Sequence, residues 1–158
     1  MAVSVKSIDL WRREIQDHPG ALADALAPLA DQRVDVQILM AYRFPGQPGR
    51  AAIELFPVTG KRAVAAATAA GFTSSSIPAL LVEGDDSPGL GARLSRAIAD
   101  AGINLDFVVA QVIGRKYSAV FGFADADGAR RAVPLIKQAG TAGRSGSKKT
   151  AKAKSSKR

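Results

Sequence analysis

The tetrapeptide Asp86-Ser87-Pro88-Gly89 has a near copy 69 positions upstream, Asp17-His18-Pro19-Gly20. After each copy comes an Ala/Leu-rich segment, then an Ala-Asp pair (Ala30-Asp31, Ala99-Asp100), then an alternating apolar run from Val34 or Ile103, with no gap across the span. A duplication of this period restricts the 158-residue chain to two similar small units rather than one medium domain. Units of roughly 70 residues bury limited surface, so a shared interface is expected.

Val3, Val5, Ile8 and Leu10 sit among polar residues and predict a strand running on to Ile15. Leu22, Ala25, Leu26 and Leu29 fall at helical spacing and predict a helix ending near Gln32, with Pro28 as a kink site. Val34, Val36, Ile38 and Met40 alternate with Asp35 and Gln37, the pattern of a half-buried strand. A Pro/Gly-rich turn from Phe44 to Gly49 leads to a strand from Ala52 to Val58. Next come a helix over Gly60 to Ala70 closed by Gly71, and a short strand within Phe72 to Ile77.

Pro78 marks the boundary between units. Ala79 to Glu83 is the next strand, and Leu90, Leu94, Ile98 and Ala101 form a second helical stripe capped by Gly102. Ile103, Leu105, Phe107 and Val109 begin the following strand, Gly114-Arg115 turns, and Tyr117 to Phe123 returns. A last helix, capped by Asp127, runs towards Gln138, with Pro134 expected to bend or split it. The predicted class is α+β: two ferredoxin-like βαββαβ units in tandem, residues 1–77 and 78–140, each an antiparallel sheet with helices on one face. The second unit lacks a clear last strand, which leaves Ala79 to Glu83 with an open edge. Open edges are usually covered, and the N-terminal strand or a second copy of the chain is expected to cover this one.

The net charge of +8 is a property of the tail. Seven of the 22 basic residues and no acid lie between Thr141 and Arg158, so the first 140 residues hold 15 basic against 14 acidic groups, net +1. Residues 141–158 cannot form a core and are expected to be disordered. Lys148, Lys149, Lys152, Lys154, Lys157 and Arg158 make this tail either a solubilising extension or a sequence-blind grip on nucleic acid or another polyanion. With no Cys and a single His, disulfide, thiolate and His-cluster metal sites are out of reach, and no cofactor is expected. The start lacks a signal-peptide core and no segment reaches membrane-spanning length, so a cytoplasmic protein without membrane contact is the expectation.

Each repeated loop lies where a strand hands over to a helix. In the second, Ser87 can act as N-cap, Pro88 fits the first helical position, and Gly89 offers its N–H without a side chain in the way. Such a helix start can hold a small anion, such as the carboxylate of an amino acid. Asp35 and Asn104 occupy equivalent positions at the start of the second strand of each unit, where they can meet a ligand's amino or amide group. The bland reading is that Asp-x-Pro-Gly merely turns the chain into a helix, and that His18 is a solvated side chain.

The loop, the Leu-bearing helix and Ala99-Asp100-Ala101-Gly102-Ile103-Asn104-Leu105 together resemble the ACT domain, a small regulatory fold of amino-acid metabolism. From about Val3 to Gly140 the chain is similar to two ACT domains in tandem with no attached enzyme. The resemblance implies pairing of domains into a continuous sheet, hence a homo-oligomer such as a dimer, and amino-acid binding at the domain interface beside the loop. By position it places ligand contacts at Asp86, Ser87, Pro88, Gly89 and Asn104, and in the first unit at Asp17, Pro19, Gly20 and Asp35. Gln32-Arg33 departs from the small-Gly pair of the pattern.

Competing classes are weaker. An RNA-recognition fold shares the strand order, but it needs exposed aromatics on two adjacent strands, and Ala79 to Glu83 has none. Phe121 and Phe123 therefore read as core. Asp85-Asp86 and the Asp125/Asp127 pair sit at turns and caps, and no His or Cys stands near Ser74, Ser75 or Ser76 in the sequence, so no catalytic constellation emerges. The reading is a non-enzymatic regulatory or sensor protein that binds a small amino-acid-like ligand. The alternative is a nucleic-acid-associated protein that binds through its tail, the folded units serving only dimerisation.

Overall fold

The computed structural model describes residues 3–142; the basic tail residues singled out above lie outside them. The long strand expected from Val3 to Ile15 breaks at Asp9-Leu10 into β1 (Ser4–Ile8) and β2 (Trp11–Gln16), and the two halves enter different sheets. After β2 the order is α1 (Ala21–Asp31), β3 (Ile38–Arg43), β4 (Arg50–Phe56), α2 (Gly60–Ala69) and β5 (Thr73–Ser74). It continues through β6 (Ala79–Asp85), α3 (Leu90–Asp100), β7 (Leu105–Ile113), β8 (Lys116–Phe123) and α4 (Ala126–Ala142).

One four-stranded sheet has the order β3-β4-β2-β5, with its neighbouring strands antiparallel, and the other β1-β6-β8-β7, with β8 antiparallel to both β6 and β7. Both have the ferredoxin-like arrangement, and in the second β1 stands in the fourth-strand place. The strand the second repeat lacks is thus supplied from the N-terminus. Residues 8–76 form one compact unit; residues 3–7 group with the unit that begins at Ile77, not with 8–76 as a division at residue 77 would have them. The covering partner that an open β6 edge requires is the N-terminal strand, and the Ser4 hydroxyl donates to the Glu83 carbonyl at 3.4 Å.

In the second unit Leu90, Leu94 and Ile98 of α3 pack with Ala129, Ala132 and Ile136 of α4 on Leu80, Val82, Phe121 and Phe123. Val3 is buried in the same core, against Gly140 of α4 and Gly84 of β6. A Cβ at Gly140 would stand 2.3 Å from Val3 Cγ2, so glycine there is what admits the N-terminal segment. Phe121 and Phe123 are wholly buried, the position of core side chains rather than of a base-stacking platform. α4 continues through Pro134 without a break, and its cap is Asp125 rather than Asp127: the Gly128 N–H donates to Asp125 Oδ1 at 2.7 Å, while Asp127 pairs with Arg130 and Arg131.

The core of residues 8–76 is smaller. Ala25 and Leu29 of α1 and Ala67 of α2 pack on Ile53, Leu55 and Phe72. Of the expected stripe of α1, Ala25 and Leu29 are buried and Leu26 packs against the core, but Leu22 is exposed and Ala21 is buried in its place.

Candidate functional site

Each repeated loop is a Pro-Gly turn held at the end of its sheet. In the second, the Leu90 N–H donates to the Ser87 carbonyl at 3.0 Å and Gly89 has φ 78° and ψ 6°. In the first, Ala21 donates to His18 at 3.1 Å and Gly20 has φ 94° and ψ −17°. Proline at the second position and a left-handed glycine at the third are the demands of a type II turn. Neither Ser87 nor Pro88 therefore takes its expected helical role: Gly89 is the N-cap residue, without a side-chain cap, and α3 starts at Leu90. Both turns are pinned to the neighbouring β-hairpin, Asp86 N–H on the Arg115 carbonyl at 2.8 Å and Asp17 N–H on the Gly49 carbonyl at 2.9 Å.

The Ser87 side chain is instead held by Arg93, a residue the sequence reading passed over. From the first turn of α3 its guanidinium donates through Nη2 to Ser87 Oγ at 2.8 Å and through Nη1 to the Pro88 carbonyl at 3.0 Å. It lies behind Gly89, where an added Cβ would come within 3.4 Å of Nη1. The residue at the same place in the first copy is Asp24. The two loops therefore differ in the charge behind the turn: Arg93 backs the second, whereas Asp24 and Glu14, together with Arg13, line the 360 Å³ cleft beside His18 in the first. His18 Nδ1 donates to the Pro19 carbonyl at 3.0 Å, and Asp17 is ion-paired with Arg43.

Asp85 accepts from Lys116 Nζ at 2.6 Å, and chiefly that hydrogen bond holds the Asp85 carboxyl pKa down at about 2. The Tyr117 hydroxyl is pushed up by burial and secondarily by the charge of Asp86.

Asn104 and Asp35 precede their strands rather than opening them, since β7 starts at Leu105 and β3 at Ile38. Asn104 lines a small cleft with Asp125 and Arg131, away from the Asp86–Gly89 loop. The register fixes the separation: Lys116 pairs with Asp85 at the loop end of β8, and Phe123 pairs with Leu105 at the other. Seven residues of strand at about 3.3 Å each put them roughly 23 Å apart. Within one unit, the loop and the asparagine cannot touch the same amino-acid-sized ligand.

A second polar cluster lies on the face of the β3-β4-β2-β5 sheet turned away from its helices. Glu54, between Arg12 and Met40 in the register, is wholly buried. Its Oε1 accepts from Arg12 Nη1 at 2.9 Å and from the Tyr42 hydroxyl at 2.8 Å, while Oε2 has no hydrogen-bond partner among the described residues. Phe44 lies under the guanidinium groups of both Arg12 and Arg50, at 5.4 and 5.2 Å. Burial, and then the neighbouring Glu54 carboxylate, push the Tyr42 hydroxyl up to about 12 from 10.0. A folded-state pKa above the unfolded one stabilises fully below the unfolded value and loses that contribution as pH climbs through the folded one. An ultraviolet tyrosinate titration should accordingly show Tyr42 ionising near pH 12, with unfolding free energy falling between pH 10 and 12; Tyr42→Phe should remove this share of the fall.

The two sheets, each with two helices on one face and the N-terminal strand completing the second, define a tandem ferredoxin-like α+β protein. No protein-family model and no curated protein sequence matches the chain. Among solved structures, protein BT0572 from Bacteroides thetaiotaomicron superposes with a TM-score of 0.69 at 11% identity, over 85% of this chain and 89% of that one. The ligand-free regulatory subunit of aspartate kinase from Thermus thermophilus gives 0.58 at 20% identity, over 88% and 97%. The same subunit from Thermus flavus gives 0.57 at 18%, over 88% and 97%. This chain shares their fold, two ferredoxin-like α+β units in tandem.

Proposed function

We propose that this chain is a non-enzymatic regulatory protein that binds an amino-acid-like ligand beside Asp86–Gly89, at a site completed by a second copy of the chain. Arg93 carries the reading. A guanidinium fixed behind the turn makes the second loop attractive to a carboxylate, whereas the first has the acid Asp24 at that place.

The free edge of the second sheet supports the rest. β7 is nine residues long, its one charge is Asp106, and Val108, Val109, Val112 and Ile113 are exposed on its two faces, Ile113 by 69%. Long apolar edges of this kind invite strand pairing. Two β7 strands running antiparallel would set the start of one beside the end of the other. Ile113 shares the register of Lys116 and Asp85 at the loop end, so such pairing carries the Asn104 of a second copy to the loop of the first. The roughly 23 Å separation within one unit is thereby bridged. A ligand held by both copies favours the paired state and can pass its presence to a further partner.

A thermal-shift screen against the twenty amino acids, read together with sedimentation, tests this. At least one amino acid should stabilise the wild type, fail on Gly89→Val and on Asn104→Ala, and fail on Val109→Lys, which should also sediment as a monomer. Stabilisation that survives all three substitutions would remove the site from this edge.

A further inference from the structure

The helices α1 and α3 end in the same backbone motif, but different residues occupy its left-handed position. After α3, the Gly102 N–H bonds the Ala99 carbonyl at 2.9 Å, the Ile103 N–H bonds the Ile98 carbonyl at 3.2 Å, and Gly102 has φ 70°. After α1, the Arg33 N–H bonds the Ala30 carbonyl at 2.9 Å and the Val34 N–H bonds the Leu29 carbonyl at 3.0 Å, yet the residue is an arginine, at φ 52°. Among the described residues it is the non-glycine residue with a positive φ. A side chain is disfavoured there and glycine is not, so the first copy holds its arginine against a backbone preference that its own duplicate satisfies.

Arg33 lines a cleft of about 520 Å³ together with Lys61 and Arg62 from the first turn of α2. Arg12, Arg43, Arg50, Lys116 and Arg131 all have carboxylate partners, but among the described residues none of these three cations does. Asp35 on the wall is the one acid lining the cleft, which leaves it a net charge of +2. Thr59 also lines it, and its hydroxyl makes no cap bond to α2. The volume lies within the range of small-molecule sites.

We propose that this cleft binds a small dianion, a phosphate monoester or a dicarboxylate, with Arg33, Lys61 and Arg62 as its charged contacts. Guanidinium groups bind either anion through paired N–H donors, and two surplus positive charges match two negative ones. The cleft belongs to residues 8–76 and is independent of the Gly89 loop.

The probe is inorganic phosphate added to the full-length protein, against sodium chloride at equal ionic strength, followed by thermal shift and calorimetry. The tail is present in every variant, so its own anion binding cancels. Phosphate should raise the wild-type Tm more than chloride does, and Lys61→Ala/Arg62→Ala should lose that response. Arg33→Gly should bind phosphate roughly tenfold more weakly, the worth of one charge-assisted hydrogen bond, while melting higher than wild type without phosphate. Succinate in place of phosphate separates a dicarboxylate from a phosphoryl ligand, and a chloride-exceeding response to either supports the dianion site. A response matched by chloride, or equal in wild type and both variants, overturns it. Gly89→Val should leave the response intact, which keeps this site distinct from the amino-acid site.

Discussion

Arg12→Ala should destabilise residues 8–76 by about 3–5 kcal/mol, and Glu54→Gln by clearly less, on the order of 1–2 kcal/mol. The asymmetry comes from burial. Glu54 is wholly enclosed, whereas the Arg12 side chain is 20% exposed and also reaches Glu14 at 3.3 Å. Removing the arginine leaves a buried carboxylate with the Tyr42 hydroxyl alone; removing the negative charge leaves a guanidinium that still has Glu14 and water. Burial pulls the Arg12 pKa down, but Tyr42, Glu54 and Glu14 together hold it above its ordinary value. Trp11, the lone tryptophan, precedes Arg12 in β2 and packs against the core of this unit, so its fluorescence in urea reads this unit's unfolding. Equal losses for the two variants would mean that the cluster is solvated and that its burial contributes nothing.

Deleting residues 1–8 should cost the second unit about 5 kcal/mol or more. β1 forms several ladder bonds, each worth on the order of 1 kcal/mol net, and the burial of Val3 adds roughly 1.5–3 kcal/mol. The sum rivals the whole stability of a small domain, about 5–15 kcal/mol. Amide exchange in Ala79–Asp85 should accelerate strongly in the deleted protein, and a synthetic peptide of residues 1–9 should restore protection by adding back as a strand. Unchanged exchange in β6 after deletion would show that β1 is not what protects this edge.

Much of the architecture was legible because period and turn chemistry carry it. Leu90, Leu94 and Ile98 at helical spacing and two Pro-Gly turns 69 residues apart each reflect a local preference that the tertiary structure leaves in force, whereas the alternation over Val34 to Gln37 falls before β3, which starts at Ile38. The duplication itself implied two units and showed that the second was one strand short. The role of Ser87 was misread because Ser-Pro-Gly satisfies two local patterns, a helix cap and a type II turn. Gly89 at φ 78° and the grip of Arg93 decide for the turn.

What the sequence by itself determined is the pair of strand–turn–helix units, the α+β class and the concentration of positive charge after residue 140, since each depends on neighbours along the chain. What only the tertiary structure decided depends on residues distant in sequence. Val3 to Ile15 reads as one continuous strand, and only the unpaired edge of β6, some 75 residues away in the chain, draws its first half into the other sheet. Glu54 lies in a strand that the sequence marks only as Ala52 to Val58, and it is a buried partner of Arg12 and Tyr42 because three strands meet there in register. The loop and Asn104 look like one site in the sequence, yet the strand register holds them at opposite ends of the sheet, because β7 runs parallel to β6 and so begins at the end where β6 began, not at the loop end where β6 finishes.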